Sequence, residues 1–423
     1  MSVATGTGTG TGNKAGAGAG TAAGARTGTG TDTRTGTGAG LSVTLCRDER
    51  QFAALETQWA ALHRGCAAAT PFQSHSWLYS WWLSYGTPGR LRVVLVRRGG
   101  RLVGAAPLML AHRPLPLLVP LGGSISDFSD ILIDGTQPPG TLAALTEGLL
   151  RAARHTVIDL REVRPGAAAE RLYDRWPGAR RRLSDSVCLE LPAEPIEQLV
   201  KRLASARAQR VRAKLRKLDA LGIEERDVAE HEVPGAIREL LRLHELQWRG
   251  RGVTPEHLRP RFAEHLTRAT RRMVRDGDAV LTEYRLDGAV VAANVTLHSA
   301  QLSGGYLYGA DPQLRTKKVD VAAMLLRRDA RSAAESGRTV ISLLRGTEPY
   351  KSHWRPAVVT NERLLLAPAP LTPVLSLYAA QLAGRDRAAA TVNSLRPVVG
   401  EWRTRLSTRL GARTGTREAA DGR

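Results

Sequence analysis

Four side chains of different chemistry stand close together late in the sequence: Arg345, Glu348, Tyr350 and Lys351. A carboxylate at Glu348 can accept a proton from an attacking amine. The cations Arg345 and Lys351 can pair with a phosphate or a substrate carboxylate. Glu283, on an earlier strand, is a rival base. Asp127 and Asp130 form an acidic pair in Ser-Asp-Phe-Ser-Asp, able to orient an amine or hydroxyl, although turns also use Asp for local hydrogen bonds. Other chemistries are excluded by what is missing. His244-Glu245 opens an HExxH pattern, but Trp248 stands where the second histidine belongs, so zinc is not expected. Gly122 to Ser126 lacks the closing glycine of a GxSxG nucleophile elbow. No GxxxxGK[ST] phosphate loop occurs.

These residues need elements to hold them. Leu41 to Cys46 alternates as a strand, and Phe52, Leu55, Trp59 and Leu62 give Glu49 to His63 the spacing of an amphipathic helix. A second helix opens at Pro71-Phe72 and carries Trp77, Trp81, Trp82 and Tyr85, a cluster read as core. Leu91 to Arg97 and Leu102 to Leu110 form a hairpin around Gly99-Gly100. Strands at Pro114 to Leu121, Ile131 to Ile133, Val157 to Leu160 and Val187 to Leu191, with a helix at 139–154, complete a first unit. A basic helix follows from Pro195 to Leu221, without an acid between Lys201 and Lys217, and Gly222 ends it. The second unit has helices at 234–250 and 255–275 and strands Ala279 to Leu286, Ala289 to His298 and Leu302 to Tyr308, the first two joined at Asp287-Gly288. A helix at 320–335, a strand Thr339 to Leu344, a short helix at 348–351 and a strand Arg363 to Leu366 close it. Both units run helices, hairpin, helix, strand, which points to a duplicated α/β unit.

Composition bounds the class. The chain has 423 residues, 61 Lys+Arg against 40 Asp+Glu, and 42% hydrophobic residues, enough to build cores and to exclude global disorder, with a strongly basic balance. Its longest apolar runs are far short of the ~20 residues of a spanning helix. Cys46, Cys66 and Cys188 have neither an even count nor CxxC spacing, which fits a reducing cytoplasm. The expected organisation is a disordered Thr/Gly/Ala tail (1–40), a first unit (41–194), the basic linking helix (195–222), a second unit (223–368) and a basic helical extension (369–423). The basic helix, Lys201 to Lys217, is either a solvated face or a surface for RNA or another anionic polymer.

The phrases PFQSHSWLYSWWLSYG (71–86), LGGSISDFSDILID (121–134), YRLDGAVVAANVTLHSAQLSGGYLYGADP (284–312) and SLLRGTEPYKSHW (342–354) resemble the CelD-type acetyltransferases of the GNAT superfamily. They are also similar to the Fem-type aminoacyltransferases. The resemblance implies two tandem GNAT-like domains of mixed sheets flanked by helices. It implies acyl transfer from acetyl-coenzyme A or another acyl-coenzyme A to an amine or hydroxyl, without a metal. The acceptor would be a small molecule or polysaccharide precursor, bound by Asp127, Asp130, Arg345 and Lys351. Tyr350 would protonate the departing thiolate, with Glu348 as base. One departure is visible: where the superfamily has a glycine-lined phosphate loop, this chain reads DPQLRTKKVD (311–320). Arg315, Lys317 and Lys318, with Tyr308 on the preceding strand, would then hold the coenzyme by charge. The alternatives are a Fem-like transferase using aminoacyl-tRNA and an inactive GNAT-fold module that binds an anionic polymer.

Overall fold

The computed structural model describes residues 34–35, 40–112, 115–136, 140–249, 254–385 and 387. Apart from 34–35 and 40, the expected tail lies outside the described residues, as does the extension beyond 387. The first half contributes β1 (Arg34–Thr35), β2 (Leu41–Cys46), β3 (Leu91–Arg98), β4 (Arg101–His112), β5 (Pro116–Pro120), β6 (Leu132–Ile133), β7 (Val157–Val163) and β8 (Ala179–Pro192). The second contributes β9 (Glu224–Asp227), β10 (Ala279–Leu286), β11 (Ala289–His298), β12 (Leu302–Ala310), β13 (Val340–Arg345) and β14 (Ala357–Ala367). Helices α1 (Glu49–Ala53), α2 (Glu56–Gly65), α3 (His75–Tyr85), α4 (Gly140–Ala152) and α5 (Ala168–Asp174) belong to the first half. Helices α6 (Ile196–Lys201) and α7 (Ser205–Ala220) lead into α8 (Val233–Trp248), α9 (Pro260–Asp276), α10 (Gln313–Thr316), α11 (Val321–Glu335) and α12 (Pro349–Ser352).

All strands join one mixed sheet in the order β1-β2-β3-β4-β5-β7-β14-β8-β13-β12-β11-β10-β9, with β6 paired to β4. Either edge leads inward through the same series. Four antiparallel strands (β2 to β5, or β9 to β12) meet a parallel partner (β7, or β13), and then a strand supplied by the other half (β14, or β8). The division at 195–222 therefore does not divide the sheet, because each half completes its neighbour. The parallel pairings are short. Leu117 and Leu118 face Val157 and Ile158, and Leu302 to Gly304 face Val340 to Ser342, after which the strands part. β7 and β13 also carry matching irregularities, Glu162 at φ 55° and Leu344 at φ 59°, a left-handed backbone that side chains with a Cβ adopt only at a cost.

Several local forms follow from sequence. Asp287 (φ 52°) and Gly288 (φ 79°) both take left-handed backbone, as a two-residue hairpin turn requires. The tryptophan cluster is core: Trp77 is fully buried and meets His265 of α9 edge-on at 4.5 Å, so α3 and α9 bind the two halves on one face. The basic helix, expected as one element from 195 to 221, is two. Ile196, Leu199, Val200 and Leu203 form one apolar stripe and Ala208, Leu215 and Leu218 another, and extended backbone at Ala204 turns the chain so that both pack towards α11. Beyond Pro368 a helix at 372–385 lies over the face bearing Leu117, Val157 and Leu365, fixed by Leu375, Tyr378 and Leu382.

Candidate active site

Where β12 and β13 part, a cleft of about 80 Å³ opens. Gly305 and Tyr308 of β12, Ser342 and Leu343 of β13, and Leu325 and Asp329 of α11 line it, with Tyr350, Lys351 and Trp354 at the α12 end. The β13–α12 turn is tightly determined. Gly346 sits at φ 104°, and a Cβ there would lie 2.7 Å from the Glu348 carboxylate oxygens, so only glycine lets Glu348 fold back over the turn. Lys351 is buried; its Nζ donates to the Arg345 carbonyl at 2.8 Å and pairs with Glu348 at 2.8 Å. Tyr350 remains 39% exposed while lining the cleft. Burial, then the neighbouring Tyr308 phenol and the Glu348 carboxylate, raises its pKa above the ordinary tyrosine value, and the group stays protonated.

The polar end of this cleft is a network that sequence reasoning missed. Asp329 Oδ1 accepts from Thr296 Oγ1 at 2.6 Å and Asn294 Nδ2 at 3.2 Å, all three buried. Burial pushes the Asp329 carboxyl up to about 6, against the opposing influence of the Thr296 bond, Arg328 and the Asn294 bond. Its signal was present: residue 329 lies four positions after Leu325 and three after Leu326 on the buried face of α11, where a carboxylate is out of place.

A second, larger cleft of about 540 Å³ lies between the end of β12 and the start of α11. Lys214 of α7, Arg249, Arg315 and Lys318 line it, together with Asp311 and Asp320. The helix N-terminus is already occupied: Asp320 Oδ1 accepts from the Ala323 N–H at 3.1 Å and Oδ2 pairs with Lys214 at 2.7 Å. Lys318 takes a left-handed backbone (φ 54°) with its Cβ in place, where a glycine would leave the backbone open to a ligand. The surroundings offer an anion side-chain charge rather than a backbone cradle.

A third cavity, about 430 Å³, lies between the halves and is lined by Ser124, Ser126, Ser129, Asp159, Arg161, Glu162, Arg345 and Arg363. Arg345 is its joint. The guanidinium bonds Asp127, Glu162 Oε1 at 3.0 Å and the Ser124 carbonyl at 2.7 Å, tying β13 to two elements of the first half. Burial opposes its charge, but Asp127 and Glu162 together raise its pKa above the ordinary arginine value.

The expected site residues thus divide. Tyr308, Tyr350 and Lys351 line the first cleft, with Glu348 behind Lys351; Arg315 and Lys318 line the second; Arg345 lines the third, held by Asp127. Three others stand elsewhere. Asp130 is buried, and its carboxylate accepts from the Ile131, Ala168 and Ala169 N–H groups, capping the start of α5 in the manner that makes Asp common in turns. Lys317 is exposed and is not among the residues lining the second cleft, and Glu283 is paired on β10 with Arg226 and Arg285. Among the described residues no group of His, Cys, Asp and Glu could hold a metal ion, and no helix is long and apolar enough to cross a membrane.

Residues 204–352 match the model of the acetyltransferase (GNAT) domain. No curated protein matches the chain. Among solved structures the chain is similar to FemX, at 12% identity over 75% of this chain and 98% of that one, with a TM-score of 0.55. It is also similar to the C-terminal domain of a putative lysylphosphatidylglycerol synthetase from Agrobacterium fabrum (10% identity, 77% and 95% covered, TM-score 0.49). A third is a tandem GNAT protein from the clavulanic acid biosynthesis pathway (12%, 77% and 98%, TM-score 0.37). At these identities the likeness to FemX is one of fold. The parting strands β12 and β13 and the helix α11 beside them all lie within the segment, residues 204–352, that is similar to the acetyltransferase (GNAT) domain.

Proposed function

We propose that the protein transfers an acyl group from an acyl-coenzyme A to an amine or hydroxyl, as in the CelD-type enzymes its sequence resembles. One observation carries the reading: β12 and α11 line both the first cleft, of about 80 Å³ at the strand parting, and the second, of about 540 Å³ and cationic at the helix start. The first suits the thioester end and the second the phosphates, which Arg315, Lys318, Lys214 and Arg249 would hold by charge. In the transfer the acceptor's nitrogen or oxygen forms a bond to the carbonyl carbon as the carbon–sulfur bond breaks. Glu348, or a water beside it, takes the acceptor's proton, and Tyr350 gives one to the sulfur. Lys351 fixes the turn bearing both. The cavity between the halves, with Arg345 at its edge, receives the acceptor, and 223–368 acts as the catalytic unit beside 41–194. A cytoplasmic location accords with three buried cysteines, none of them bonded.

A second reading puts the donor on RNA, as in the Fem-type enzymes. It is favoured by the outward face of α7, where Arg210, Arg212, Arg216 and Lys217 are exposed and Lys214 reaches the second cleft. Calorimetric titration with acetyl-coenzyme A and with tRNA at low and moderate salt tests both. Acetyl-coenzyme A binding that weakens steeply with salt, and is lost with Arg315→Ala/Lys318→Ala, is expected. Heat from tRNA alone would transfer the conclusion to the second reading, and heat from neither would overturn both.

A further inference from the structure

An acetyl group ends in a methyl, and a cleft built for it should end in apolar side chains. This cleft ends in a carboxylate. Asp329 is only 8% exposed, yet its two oxygens are treated differently. Oδ1 is fixed by Thr296 and Asn294, whereas Oδ2 receives no hydrogen bond among the described residues. The space beside Oδ2 is open because residue 305 is glycine: a Cβ there would lie 2.9 Å from that oxygen. Gly305 and Asp329 line the same cleft as Tyr350. A buried carboxylate with one oxygen turned to a methyl is a costly arrangement, since burying a charge is tolerated when it is paired.

The surrounding groups leave that pairing unmade. Arg328, the cation nearest in sequence, gives its hydrogen bond to Asp227 and acts on Asp329 as a neighbouring charge without bonding it, and Lys351 is committed to Glu348 and the Arg345 carbonyl. Three phenols also stand near: the buried Tyr284, which the Asp329 charge perturbs, and Tyr308 and Tyr350, which line the same cleft.

We propose that Asp329 selects an acyl group bearing a positively charged amine, whose ammonium is received by Oδ2 above Gly305. The inference rests on the donor reading of the cleft and narrows it: acetyl is a poor fit and an amino-substituted acyl group a good one. Asp329 is then the specificity-determining residue, and Asn294 and Thr296 are positioning residues that hold its other oxygen.

The test compares isosteric thioesters that differ by one charge, β-alanyl- against butyryl-coenzyme A, by calorimetric titration. The wild-type protein should bind the β-alanyl thioester at least ~10-fold more tightly, the scale of one charge-assisted hydrogen bond. Asp329→Asn keeps the shape and should abolish the preference, the two thioesters then binding alike, and its circular dichroism spectrum reports that the variant is folded. Equal affinities in the wild type, or a preference surviving in Asp329→Asn, would overturn the inference. The same pair as pantetheine thioesters separates the two readings. A β-alanyl preference seen only there supports Asp329 and overturns coenzyme A as carrier, and binding of neither pair overturns both.

Discussion

Replacing Arg345 with methionine removes the guanidinium at the joint between the halves while keeping most of the stem's volume. Two carboxylates then lose their counterion, Glu162 with a side chain 8% exposed and Asp127 at 13%. Breaking a buried ion pair by deleting one partner costs ~3–5 kcal/mol. The arginine side chain is itself 28% exposed, and Glu162 keeps bonds from Asn361 at 3.1 Å and from Ser186, so the lower end applies. A loss of about 3 kcal/mol, at roughly 2 °C per kcal/mol for a chain of this size, is a fall in Tm of about 6 °C by scanning calorimetry. The double variant Arg345→Met/Glu162→Gln removes one stranded charge and should recover about half of that loss. A single-variant loss below ~2 °C, or a double variant no better than the single, would refute the view that buried charge joins the halves here.

Three further outcomes are expected. Tyr350→Phe deletes only the hydroxyl that carries the proton, so turnover should fall roughly 10²-fold with KM and Tm nearly unchanged; steady-state kinetics check this, and a lower Tm with intact turnover would make Tyr350 scaffold. Asp329 has its pKa raised on folding from 3.8 to about 6, so between those values the folded state holds the extra proton and stability falls as pH rises, by about 2–3 kcal/mol in all. Asp329→Asn should lack that decline in denaturant unfolding across pH 4–7, and an unchanged slope would refute the shift. Gly309→Ala places a Cβ 2.4 Å from both the His244 nitrogen and the Leu240 carbonyl, so α8 must move off β12; a loss of ~2 kcal/mol or more in thermal unfolding is expected, and a neutral variant would contradict the packing.

Much of the fold was legible because its signals are local. Strands β10 and β11 have the limits read from alternation and the Asp287-Gly288 turn, and α11 begins where Asp320 can cap it. What escaped depends on partners distant in sequence. β8 runs for 14 residues although Arg180 to Ser186 lack a strand's apolar alternation, because its pairing with β14 supplies the order. The site divided in the same way. Tyr350 and Lys351 announce themselves in a phrase, whereas Asp329 gains meaning only when Gly305, Asn294 and Thr296 arrive from other strands. Asp130 misled because an acid in a loop looks alike whether it faces a substrate or three backbone N–H groups.

The position of β14 bears on how the chain reaches its native state. Among the described residues it is the last strand in chain order, yet it occupies the middle of the sheet, between β7 and β8. Until residues 357–367 are made, β7 and one side of β8 present open edges, the kind of surface that recruits foreign strands. Folding here cannot proceed strictly half by half, since β7 of the first half waits on residues 357–367 of the second for its final pairing. Release of a product stopped at residue 356 should therefore yield an aggregating species rather than an orderly fragment. The pairing that merges the halves makes them hard to inherit, shuffle or express apart, and any recombination that respects this protein must carry β8 and β14 together.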